Sequence, residues 1–290
     1  MRFLFLWQGE PTRGPNLLTT MPRVRKPQIL VLSPTRISSW LQCHLQYKFT
    51  YMDKLSRFFY RPNKSDTFGS VIHRTLETLH KMGGPQAVDV PELLVTLEQC
   101  WVSVGYQSTE EEDAMRQRGQ QILSDYHQRE SARQASPFLL EKQLRWDYGT
   151  FKIMGRLDRV DELPDGTLEI IDYKSGLLEV SQERVRGSIA MQCYSRLLTR
   201  HYPGRTIIAT IAALAGGVSA TVCFTDEDLE LFDELAAHVA AQITGAEEFL
   251  PNYGPHCEEC IYKRKCYKDG EMDWEAKQNE FLNDQWGIRQ

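Results

Sequence analysis

The sequence lacks any run of about 18 apolar residues, so no segment is expected to cross a membrane as a helix. The opening apolar stretch, residues 3–7, is too short for a secretory core, and Gly9, Pro11 and Arg13 interrupt it. A cytoplasmic chain is therefore expected. Charge of one sign is also missing: 34 Lys and Arg against 39 Asp and Glu leave a net charge of −5. No global field draws the chain to a polyanion, so any contact with nucleic acid must come from a local basic patch. No repeat of fixed period is present, which excludes solenoids. The seven cysteines are odd in number and accompany no export signal. That fits metal-binding thiolates or buried thiols better than a disulfide framework. At 41% hydrophobic and 25% charged residues, the 290-residue chain has an ordinary globular composition and can bury a substantial core.

What is present centres on residues 155–176. Gly155-Arg156-Leu157-Asp158 precedes a turn at Pro164-Asp165-Gly166, and Glu169-Ile170-Ile171-Asp172-Tyr173-Lys174-Ser175-Gly176 follows it. Pro, Asp and Gly in succession favour reversal between two β-rich runs. A hairpin symmetric about Asp165 sets Asp158 opposite Asp172, with Cβ atoms about 5 Å apart. Like charges so placed among Met154, Leu157, Ile170 and Ile171 repel, and a divalent cation between them would remove the cost. Lys174, two residues past Asp172, shares its face. The competing reading is a surface ion-pair cluster of small energetic weight, and a one-residue slip would separate the carboxylates.

Elsewhere, residues 1–28 read as a flexible basic leader and residues 267–290 as a polar tail. Ser33-Pro34 opens a helix with Ile37, Trp40, Leu41, His44 and Leu45 at helical spacing and Cys43 near its middle. A second helix over about 66–82 carries His73 on the segment that begins Gly69-Ser70. Helical patterns over 91–104 and 109–132 form an insertion of about 85–135, without evident chemistry of its own. Strands are expected over 138–148, 151–160, 167–173, 207–214 and 220–224, with helices over 182–201 and 226–244. The sum is an α/β fold, a mixed sheet with helices on its faces.

Near the C-terminus, Cys257, Cys260 and Cys266 form a C-x2-C-x5-C array. Such spacing lets three thiolates converge on a metal. His256, Cys43, Cys100, Cys193 or Cys223 could supply a fourth ligand, although the last three sit in apolar stretches that suit buried thiols. Spacing alone does not separate Zn²⁺ from an iron–sulfur cluster.

Together these residues resemble the PD-(D/E)xK nucleases of the RecB-like branch that carry an iron–sulfur cluster, such as the AddB nuclease domain and the CRISPR-associated RecB-like exonucleases. Ser33 to Cys43 is similar to that family's opening helix, and Gly69 to His73 to its histidine motif. Gly155 to Asp158 matches G-x-x-D, Asp172 to Gly176 matches D-Y-K-[ST]-G, and Cys257, Cys260 and Cys266 match the terminal triplet. The family's glutamine four residues before Tyr194 is Ala190 here; Gln192 lies two before the tyrosine.

The resemblance implies a restriction-endonuclease-like sheet, with residues 29–266 as the nuclease domain. Asp158, Asp172 and Lys174 would be catalytic. His73, Asp158, Asp172 and the Tyr173 carbonyl would hold Mg²⁺ or Mn²⁺, and Gln192, Tyr194 and Arg196 would contact substrate. Cys43, Cys257, Cys260 and Cys266 would hold a structural [4Fe–4S] cluster that staples the two ends of the domain. The implied activity is metal-dependent hydrolysis of DNA, single-stranded or at duplex ends, leaving 5′-phosphates, in repair, recombination or CRISPR-related processing. A helicase or CRISPR-adaptation proteins are the implied partners. The alternative is a nuclease-fold module that binds DNA or a partner without essential cleavage.

Overall fold

Residues 29–176 and 179–269 are described by the computed structural model; the predicted leader and all but the first residues of the predicted tail lie outside them. In chain order the elements are β1 (Leu30–Leu32), α1 (Pro34–Gln42), α2 (His44–Tyr47), a π turn, α3 (Ser56–Phe59), α4 (Lys64–Lys81), α5 (Val90–Cys100) and α6 (Thr109–Glu130). Then follow β2 (Ser136–Asp147), β3 (Phe151–Glu162), β4 (Leu168–Lys174), α7 (Gln182–Arg186) and α8 (Ile189–His201). β5 (Ile207–Ala213), β6 (Val218–Cys223), α9 (Asp226–Gly245) and α10 (Lys263–Asp269) complete the set. Among the described residues no helix is long and apolar enough to cross a membrane.

The sheet is mixed. β1 pairs with β3 and β4 with β5 in parallel, while β2–β3, β3–β4 and β5–β6 are antiparallel. A parallel β4–β5 pair requires a crossover, which α7 and α8 supply. β2 pairs with β3 along nearly its whole length, so β1 and β4 must share the other edge of β3. β1 pairs there with residues 151–153 and β4 with residues 159–162. Residues 154–158 of β3 are left between them without a strand partner on that edge, and the gap is where Asp158 sits.

Two apolar clusters sandwich the sheet. One joins Ile37 and Trp40 of α1, Met191 and Leu197 of α8, and Phe232 and Val239 of α9 to Leu157, Val160 and Ile170. The other joins Ile72, Leu76 and Leu79 of α4, Leu97 of α5 and Leu123 of α6 to Ile171 and Tyr173. The predicted insertion and α4 therefore build the second layer in about equal parts. Trp40 Nε1 donates to Gln242 Oε1 at 2.9 Å and ties α1 to α9.

Several local expectations are corrected. β1 was not foreseen, since three apolar residues give too short a period to read. Cys43 is not inside a helix: it is extended (φ −164°, ψ 116°), ends α1 and caps α2, its sulfur accepting from the Gln46 N–H at 3.5 Å. The 182–201 helix breaks after Arg186, where Gly187 ends α7 and Ser188 caps α8. The 91–104 helix stops at Cys100, because Trp101 is extended and pairs its ring nitrogen with Glu112 at 2.8 Å. Cys223 is exposed rather than a buried thiol.

Candidate active site

The β3–β4 hairpin has the expected register: Arg159 faces Ile171 and Asp161 faces Glu169, symmetric about Asp165. Gly166 turns with φ +84°, a conformation that favours glycine. The ladder stops at the Arg159–Ile171 pair. One step beyond, a side chain takes over from the backbone: the Tyr173 N–H donates to Asp158 Oδ2 at 3.0 Å. On its other edge β4 continues to pair with β5 as far as Lys174.

α4 brings His73 to the same point. Its Nδ1 lies 3.3 Å from Asp158 Oδ2 and its Nε2 3.0 Å from the Tyr173 carbonyl oxygen. Lys174 Nζ reaches Asp172 Oδ2 at 2.5 Å. The ammonium is largely exposed while Asp172 is only 7% exposed, and Asp172 Oδ2 makes no hydrogen bond of good geometry.

A fourth acidic group was missed by the sequence reading. Glu141 of β2 stands at the register position opposite Asp158, between the Leu140–Arg159 and Lys142–Leu157 pairs. Its backbone has φ +45°, an uncommon state for a residue with a Cβ, and such strain clusters at functional sites. Among the described residues, His73, Glu141 and Asp158 form the one group of three ligating side chains with donor atoms within 4.8 Å of one another. The turn at Gly149-Thr150 was the available signal: a symmetric hairpin about it sets Glu141 against Asp158.

Electrostatics reflect this crowding. Burial pushes the Asp172 carboxyl above its ordinary range; Lys174 opposes the push and Asp158 adds to it. Glu141 is likewise raised, by burial and by the Asp158 charge, with Arg156 at 2.7 Å in partial compensation. For His73 burial works against the imidazolium. The hydrogen bond to Asp158 and the charges of Asp158, Asp172 and Glu141 outweigh it, so its pKa lies above the ordinary value. An imidazole and three carboxyl groups gathered in a largely buried setting fit a hard divalent cation, which would relieve the repulsion.

Tyr194 packs beside this group. Burial and then the charges of Asp172 and Asp158 raise its phenol. A Cβ at position 155 would fall 2.8 Å from the Tyr194 ring, which accounts for glycine in Gly155-Arg156-Leu157-Asp158. Gln192 and Arg196 are not brought to the carboxylates. Gln192 Nε2 donates to the Arg186 carbonyl at 2.6 Å, and Arg196 is paired with Asp233 of α9.

The insertion, read as lacking chemistry, contributes a buried charge network on the other face of the hairpin. Arg159 donates twice to Asp161, at 2.6 Å each, and also to Glu130 and the Tyr126 hydroxyl. Arg133 bonds Glu169 at 2.5 Å, and Glu169 accepts from Thr210 at 2.6 Å.

Cys43, Cys257, Cys260 and Cys266 line one cavity some distance along the chain from these groups. The Asn252 N–H donates to Cys43 Sγ at 3.4 Å, and Asn252 Nδ2 to the Gln42 carbonyl at 2.9 Å, fixing the C-terminal segment on the α1–α2 break. Burial raises the thiols of Cys257, Cys260 and Cys266, and the charge of neighbouring thiolates, Cys43 included, raises them further. Such a donor set suits a cationic group that stabilises thiolates. Its sulfurs are spaced more widely than the His73 group, no three of them meeting within 4.8 Å.

A family model described as the PD-(D/E)XK nuclease superfamily matches residues 31–267. Among solved structures, the chain is similar to one from Eubacterium rectale described as a presumptive exonuclease, with 10% identity and a TM-score of 0.48. That match covers 80% of this chain and 87% of the other. A structure described as SSO0001 matches with 11% identity and a TM-score of 0.37, covering 83% and 87%. No curated protein matches the sequence.

Proposed function

The chain belongs to the PD-(D/E)XK nuclease superfamily, and on that premise we propose that it is a metal-dependent DNA nuclease of the RecB-like branch, acting on single strands or duplex ends. The observation that carries this reading is the meeting of His73, Glu141 and Asp158 within 4.8 Å, with the buried Asp172 beside them and paired to Lys174. His73, Asp158, Asp172 and the Tyr173 carbonyl, with Glu141 added, would hold Mg²⁺ or Mn²⁺. When bound, the ion supplies Lewis acidity toward the scissile phosphate and lowers the pKa of an attacking water.

The protein's own groups do the rest. Lys174, anchored by Asp172 and open to solvent, donates to a phosphate oxygen or orients the water and offsets negative charge at phosphorus. Asp158, tied to the Tyr173 N–H, keeps one oxygen fixed while β4 leaves β3. Tyr194 closes the apolar side of the site and limits water there.

We assign Cys43, Cys257, Cys260 and Cys266 to a structural [4Fe–4S] cluster. Repair, recombination or CRISPR-related DNA processing, with a helicase or CRISPR-adaptation proteins as partners in a cytoplasmic setting, is the context this reading implies.

The test is incubation of purified protein with end-labelled single- and double-stranded DNA in Mn²⁺, Mg²⁺ or EDTA. Cleavage that EDTA abolishes supports the reading. Tight DNA binding with no cleavage in either metal would move the assignment to a binding module. A colourless protein with stoichiometric zinc would remove the cluster.

A further inference from the structure

The Tyr173 peptide is held on both of its polar atoms within the site: its N–H by Asp158 at 3.0 Å and its carbonyl oxygen beside His73 Nε2 at 3.0 Å. The backbone ladder to β3 has already ended two residues earlier, at Ile171. Only the β5 side of this stretch is fixed by strand pairing, with Tyr173 opposite Ala212. A carbonyl that must point at a cation therefore needs a second anchor.

The Tyr173 side chain supplies one. Side chains alternate along a strand, so while Asp172 and Lys174 face the site, the Tyr173 ring crosses to the opposite layer with Ile171 and Leu123. There its hydroxyl shares a hydrogen bond with the Tyr126 hydroxyl at 2.8 Å and accepts from Arg159 Nη1 at 3.2 Å. Arg159 is itself immobilised by two bonds to Asp161 and by Glu130 at 3.0 Å. His80 Nε2 lies 2.7 Å from the Tyr126 hydroxyl and 2.8 Å from Arg159 Nη1. His73 and His80 stand two turns apart on α4, so one helix meets this tyrosine at its carbonyl and, through Tyr126, at its hydroxyl. Swinging the ring away would strip partners from a buried guanidinium, which is costly.

We propose that Tyr126 and Arg159 are positioning residues: by gripping the Tyr173 hydroxyl they fix the direction of the Tyr173 carbonyl and hence the affinity of the site for its cation. This rests on the site reading above and extends it to residues that touch neither cation nor DNA. A merely structural network, one that only fastens α6 to the sheet, would change stability and leave cation affinity alone.

The experiment titrates Mn²⁺ alone by calorimetry into the full chain, wild type against Tyr173→Phe and Tyr126→Phe, with melting curves recorded in EDTA. Both variants keep the ring, and the backbone carbonyl is untouched. The expected result is a loss of Mn²⁺ affinity of about tenfold in each, the scale seen for outer groups that orient metal ligands. Leu123→Ala, which weakens packing in the cluster that holds both tyrosine rings but removes none of the network's hydrogen-bonding groups, is expected to lower the melting temperature and keep wild-type affinity. Wild-type affinity in both phenylalanine variants overturns the proposal, as does an equal loss in Leu123→Ala. A wild-type chain that takes up no Mn²⁺ overturns the site reading itself, and the two failures are thereby distinguishable.

Discussion

The two faces of one hairpin carry charge in opposite ways. On one face of β3–β4, Asp158, Asp172 and Glu141 crowd negative charge around His73, with Lys174 paired to Asp172 and Arg156 to Glu141 at the solvent side. On the other, Arg159, Asp161, Glu169, Arg133 and Glu130 bond one another closely. Charges that satisfy one another contribute to the fold, whereas charges that repel are destabilising until a ligand arrives. The contrast is one of arrangement rather than of residue type, since both faces use aspartate, glutamate and a cation.

Removing charge from each face should therefore have opposite effects on stability. Asp172→Asn is expected to lower cleavage by about 10³-fold or more. In EDTA its melting temperature should stay level or rise, because a buried carboxylate facing Asp158 is gone; a marked fall would break the contrast. Arg159→Met leaves buried Asp161 with only Arg133 Nε at 3.3 Å as a cationic neighbour and should cost about 3–5 kcal/mol, read by denaturant titration in EDTA. A variant as stable as wild type would show that the network carries little. Lys174→Ala, altering a half-exposed ammonium, should lower cleavage about a hundredfold with unchanged stability.

The smallest effect concerns pH. Burial, then Arg159 and Arg133, hold the His80 pKa down at about 3, against 6.5 in an unfolded chain. Above pH 6.5 neither state binds the proton and the stabilisation from the neutral ring is complete. As pH falls from 6.5 toward 3 the unfolded chain takes up a proton that the folded chain refuses, so stability declines. His80→Gln should lose that component of the slope between pH 7 and 5; identical slopes would mean that His80 titrates normally.

The β3–β4 hairpin was legible because its determinants are local. Pro164, Asp165 and Gly166 specify the turn, the turn specifies the register, and the register places Asp158 against Asp172. Glu141 required the same treatment of Gly149-Thr150. The left-handed backbone of Glu141 has no signature in its neighbours. The Arg159 network joins positions on α4, α6, β3 and β4, and no periodicity within one segment announces such pairings, although two charges at 159 and 161 on a mostly apolar strand were a hint. Helix patterns marked where helices lie but not where they stop: Cys43 keeps apolar spacing on both sides, yet its sulfur is needed in a cavity formed by residues of the far end. Gln192 is named for its nearness to Tyr194 and Arg196 for its charge, yet the break at Gly187 and Asp233 on α9 give both side chains other hydrogen-bond partners.

The Cys43 break has a consequence for how the molecule is made. The Asn252 N–H that bonds its sulfur lies 209 positions downstream, so a ribosome working at 5–20 residues per second exposes that thiol for roughly 10–40 s before its counterpart emerges. Through that interval the Cys43 sulfur lacks the C-terminal segment that packs on it and stays open to oxidants and stray metals. If the four cysteines hold the cluster proposed above, its supply at the moment of release, rather than chain collapse alone, would then set the yield of intact protein.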